Sequence, residues 1–171
     1  MILDLLERFQ TSLVGALGFT GVIITMVANA KIQRSLQATQ REHEVLSLRT
    51  ALLVELKENV QMYEARISNL SKADGMQHAL MPNKVTNNIY QSSLTNIGLL
   101  SDKEVESVLR AYLLLEDVPY RLRILVGTSN VGGYNDEFIR IDADRQHDAM
   151  NIHEALLPTI REAVAALESN A

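Results

Sequence analysis

Residues 142–154 read DADRQHDAMNIHE, a dense grouping of carboxylates and imidazoles. On a helix Asp144, His147 and Asp148 share one face at three- and four-residue steps. Oxygen and imidazole donors so placed can hold a divalent metal, and a second helix would complete the site, as in bundle-core carboxylate proteins. The competing reading is a solvated helix face on which Arg140 and Arg145 offset the acids. No HExxH, Glu-x-x-His pair or EF-hand loop is present. The sequence therefore assigns no metal site, no cofactor and no catalytic residue. A metal-binding or hydrolytic domain built on this cluster stays as an alternative.

Other chemistries find less support. The chain has no cysteine, which excludes a thiol nucleophile, and it has no G-x-S-x-G elbow. Gly132-Gly133 lacks the lysine and the strand–turn–helix setting of a phosphate loop. His153 falls on the apolar face of the last expected helix, which marks it as a hydrogen-bonded core residue rather than a ligand. His43 and His78 have no partner in the sequence. Arg121 and Arg123 are expected to pair with Glu116 or Asp117 rather than with lipid phosphates.

The elements that would position these groups are helical. The most distinctive is the run of residues 13–30, LVGALGFTGVIITMVANA, which carries no charge and is followed at once by Lys31. At ~1.5 Å of rise per residue it reaches roughly 27 Å, close to the ~30 Å hydrocarbon core of a bilayer. It reads as a single transmembrane helix. Gly15, Gly18, Gly21 and Thr25 recur on it at three- and four-residue steps, a small-residue face that favours close packing against another span. Ala28-Asn29-Ala30 also fits a signal-peptide cleavage site, so a periplasmic helical protein cut after Ala30 is an alternative. The acidic start of the chain, with Asp4 and Glu7, argues against that. Arg8 alone precedes the span, whereas Lys31, Arg34 and Arg41 follow it. The positive-inside bias places the C-terminal domain in the cytoplasm, on a bacterial-type inner membrane.

Beyond the span, a polar stretch to residue 52 reads as a helical stalk. Leu53, Leu56, Val60, Tyr63, Ile67 and Leu70 then form an apolar seam, with Glu55, Lys57, Glu58, Glu64 and Arg66 expected on the solvent side and Arg49 interrupting the register. A short helix is expected from Lys84 to Ile97, stopped by Gly98. Ser101 and Glu104 form a capping box that opens the most apolar soluble helix. A loop is expected over residues 127–135, and a final helix from Asp136 toward Glu168. No period-two alternation is evident. The expected fold is all-α: a short flank (1–12), one transmembrane helix (13–30), a stalk (31–52) and a small antiparallel helical bundle (53–171).

Composition narrows the partners. The net charge is −5, aromatics make up 5% of residues and there is no tryptophan, which argues against nucleic acid. The sequence-level reading is a non-catalytic, single-span interaction or scaffold module whose partners are the bilayer and either a second copy or another membrane protein.

Overall fold

Neither glycine nor proline occurs between residues 22 and 71, and a single helix results. The computed structural model describes residues 2–72, 78–127 and 134–170, the side chains of 2–18 and 20 excepted. Helix α1 spans Ile2–Ser71. It is followed by strand β1 (His78–Pro82), helix α2 (Asn88–Ser93), a 3-10 segment (Leu94–Leu99) and helix α3 (Asp102–Val126). Strand β2 (Phe138–Asp142), a short 3-10 turn (Ala143–Arg145) and helix α4 (Gln146–Glu168) complete the chain. The fold is thus mostly helical, as expected, with a small two-stranded sheet that was not expected.

The strands pair antiparallel, with His78 opposite Asp142 and Met81 opposite Ile139. Ala79, Met81, Ile139 and Ile141 turn toward the core and their neighbours turn away, the period-two division of a sheet with one packed face. The final helix therefore begins at Gln146, not at Asp136. Gly98 does not stop a helix; it lies inside the 3-10 segment. The glycine that ends a helix is Gly127, whose φ of 67° suits only a residue without Cβ, and whose N–H donates to the Arg123 carbonyl. Helix α3 runs through Pro119, and α4 through Pro158.

The chain divides into two compact units, Met1–Glu44 and Val45–Ala171. In the second, Leu52 and Leu56 of α1 join Val108, Leu115 and Leu122 of α3 and Ile160 and Leu167 of α4, all essentially without solvent contact. Each such side chain contributes roughly 2 kcal/mol of transfer free energy. Leu48 and Leu52, expected in the stalk, already belong to this core.

The first unit is helix alone. Its described residues, Phe19 and 21–44, are all exposed. Among the described residues no helix is long and apolar enough to cross a membrane. The expected span rests partly on residues 13–18 and 20, whose side chains, including those at the Gly15 and Gly18 positions, lie outside the description. Of the expected packing face, Gly21 has open space where a Cβ would stand, and the Thr25 hydroxyl donates to the Gly21 carbonyl at 2.8 Å.

Candidate functional site

The acidic stretch comes first, because it carried the sequence's metal alternative. Asp142 ends β2, Asp144 sits in the 3-10 turn, and His147 and Asp148 open α4. All four are exposed. Arg145 stands 3.6 Å from Asp144 and 4.0 Å from Asp148, and Arg140 pairs with Asp142 at 3.1 Å. His153 points to the opposite side of α4, into the core, while Glu154 is exposed. Among the described residues no group of three or more histidines and acids is placed to hold a metal. The cations meet the acids as a solvated face would arrange them.

Charge and polarity also concentrate in the interior of the second unit. Glu55, expected on the solvent face, is buried. One carboxylate oxygen accepts the Ile89 amide at 2.8 Å; the other accepts the Tyr90 amide at 2.9 Å and the Tyr112 hydroxyl at 2.5 Å. A carboxylate on α1 thereby supplies the N-terminal cap that α2 lacks in its own sequence, since Asn87 makes no side-chain cap bond. The Tyr90 and Tyr112 rings stack at 3.9 Å, tilted by 8°. Burial, then the Glu55 carboxylate, hold the Tyr112 hydroxyl well above the usual phenol range. Asn59, one turn along, donates to the Glu55 and Thr86 carbonyls, and its Oδ1 is buried without a partner among the described residues.

Two further groups complete the polar interior. Arg49 donates to Glu104 at 2.6 Å, and Ser101 donates to the same carboxylate from its amide at 2.9 Å and its hydroxyl at 2.7 Å. The capping box thus forms as expected, and Arg49, taken as an interruption, is its counter-ion. Burial raises the Glu104 carboxyl, but the bonds from Arg49 and Ser101 outweigh it, so it lies below the usual range. His153 is wholly buried, edge-on to Tyr63 with centroids 5.3 Å apart; Arg66 covers the Tyr63 ring at 4.8 Å. Neither imidazole nitrogen has a hydrogen-bond partner among the described residues. Its core placement matches expectation and its bonding does not. Burial, then the Arg66 charge, lower its pKa to about 4. Arg121 pairs with Asp117 at 2.5 Å, as expected.

A cleft of about 330 Å³ lies between α3 and α4, lined by Lys103, Glu106, Arg110 and Glu162 over Ala165 and Ala166. Glu106 and Arg110 pair across 3.1 Å on its wall. The polar grouping of Glu55, Tyr90, Asn59 and Tyr112 was not anticipated. The available signal was the spacing of Leu52, Glu55, Asn59 and Met62, which puts Glu55 on the stripe of α1 that turns inward. No protein-family model matches the chain, and no curated protein or solved structure matches it either.

Large apolar side chains stand open on the described N-terminal part of α1. Phe19, Ile24, Met26 and Val27 leave 63–69% of their surface open, and Ile32 and Leu36 more than half. Exposed apolar area of this kind is costly in water and favourable in lipid or against a partner helix.

Proposed function

We propose that this protein is a non-catalytic, single-span interaction or scaffold module, anchored in a membrane by residues 13–30. The observation that carries the reading is the coincidence of an 18-residue uncharged run with a continuous helix whose described apolar side chains are open. A bilayer satisfies both terms at once: the helix bonds its own amides, and lipid covers the side chains. The second unit, with its own core, is the part offered to a partner. The flanking Lys31, Arg34 and Arg41 support a cytoplasmic position for it.

The absence of cysteine makes the test direct. Ser169→Cys in the full chain is to be recovered in carbonate-washed membranes and labelled by an impermeant maleimide only after lysis. Labelling of intact or outer-permeabilised cells would reverse the orientation. A soluble product beginning at Lys31 would replace the anchor by a cleaved signal.

A further inference from the structure

Helix α1 meets its two helical neighbours differently. Against α3 it is fastened by buried polar bonds: Arg49 donates to Glu104 at 2.6 Å, and Glu55 accepts from the Tyr112 hydroxyl at 2.5 Å. Asn59 adds a bond to the Thr86 carbonyl. Against α4 the polar contacts lie at the surface. Lys57 meets Glu168 and Glu64 meets Arg161, each at 2.6 Å with both side chains about half open. Ion pairs so exposed contribute little. In the interior of this second seam stands His153, its ring edge-on to Tyr63.

Nothing around His153 compensates a charge. Neither ring nitrogen has an acceptor within hydrogen-bonding distance among the described residues. From α1, Arg66 lies over the same Tyr63 ring at 4.8 Å and acts on the imidazole as a like charge. The titratable groups that α3 buries are Glu104, held by Arg49 and Ser101, and Tyr112, held by Glu55. Tyr90 of α2 is stacked on Tyr112. The strands bury Met81, Ile139 and Ile141. An imidazolium at this position would be a buried, unpaired cation, which a folded interior does not tolerate.

We propose that the seam between α1 and α4 is an acid-released latch: protonation of His153 undocks residues 60–71 of α1 from α4, while the ties between α1 and α3 hold. The enclosed ring refuses the proton, so only an opened form takes it up, and acid then traps that form. Above about pH 6.5 the imidazole is neutral whether enclosed or open, and the latch is shut. Below that value the open form gains. The Glu104 carboxyl, held below its usual range by Arg49 and Ser101, keeps its charge through this window and so keeps its bond to α1. A released helix end of about three turns frays, because without packing so short a segment is not stable in water. The latch belongs to the second unit and does not depend on how residues 13–30 are anchored.

Hydrogen exchange of the full chain in detergent micelles, expressed as protection relative to the free peptide at each pH, tests this. With an open-state pKa of about 6.5 and a closed-state value of about 4, opening is favoured about 30-fold more at pH 5.0 than at pH 7.5. Protection across residues 60–71 should fall by that factor, and across residues 104–115 of α3 by much less. In His153→Leu the fall across 60–71 should vanish; in Arg66→Gln, which removes the like charge, it should shrink. Unchanged protection in the parent, an equal fall across 104–115, or an undiminished fall in His153→Leu would each overturn the latch. Should His153→Leu not fold, an undiminished fall in Arg66→Gln would do so.

Discussion

At the scale of single residues, the most consequential placement is His153. A wholly buried imidazole with no hydrogen-bond partner among the described residues is held neutral, its pKa lowered to about 4 by burial and by Arg66. In the unfolded chain the same group titrates near 6.5. Above that value both states are neutral and the histidine imposes no pH dependence. As pH falls from about 6.5 toward 4 the unfolded chain binds a proton that the folded one refuses, and stability drops by up to about 3 kcal/mol. His153→Leu, close in volume and free of polar atoms, should unfold in urea at the same or a higher concentration at pH 7.5. It should also lose clearly less stability than the parent between pH 7 and pH 4.5. An unchanged pH-dependent loss in the variant would assign the acid sensitivity to another group. The sequence showed that His153 belongs to the apolar face of its helix, but not that its nitrogens would go unpaired, because pairing depends on which side chains neighbouring elements bring within reach. Asp144, His147 and Asp148 illustrate the converse: their spacing was legible, and so was Arg145 among them.

At the scale of elements, long periodic segments were legible and short ones were not. The capping box at Ser101 and Glu104 opens α3 as its pattern demands, and α1 and α4 follow their apolar stripes. Strand β2 was missed although Ile139 and Ile141 alternate with Phe138, Arg140 and Asp142. Five residues of period two are easily absorbed into a helix expected to start at Asp136, and the partner strand β1 lies far upstream in the chain. The Asn135 side chain, accepting from the Glu137 and Phe138 amides, is the local turn signal that separates the strand from what precedes it. Helix α2 shows why a charge on the wrong side can be essential. Six residues cannot sustain a helix alone, and α2 is seeded by the Glu55 carboxylate of α1 rather than by its own cap. Glu55→Ala leaves two amides and the Tyr112 hydroxyl buried without acceptors, at a cost of about 3 kcal/mol. Amide exchange should accelerate first across residues 88–99, with the core of α3 and α4 affected less. Uniform acceleration across the second unit would mean that Glu55 holds the whole bundle and not one element.

At the scale of the molecule, the two units differ in where their stability comes from. In residues 45–171 buried polar groups meet neighbours of the same unit: Arg49 with Glu104, Glu55 with Tyr112, His153 with Tyr63. Its apolar residues form one cluster drawn from Leu48 to Leu167. That unit contains the conditions for cooperative folding by itself. The described residues of the first unit bury nothing, and a helix without tertiary contacts is marginal in water even at favourable composition. On the proposed anchor reading, lipid covers its apolar side chains and sustains its helicity. Residues 45–171 produced alone should therefore unfold in a single cooperative transition in urea, while a peptide of residues 1–44 should be weakly helical in buffer and strongly helical in detergent micelles by circular dichroism. A fragment 45–171 that shows no cooperative transition would place part of its stability in the first unit. A 1–44 peptide fully helical in dilute buffer would remove the need for lipid, leaving self-association as the remaining source of its order; dilution of the peptide would then decide, because only an assembled helix melts as its concentration falls.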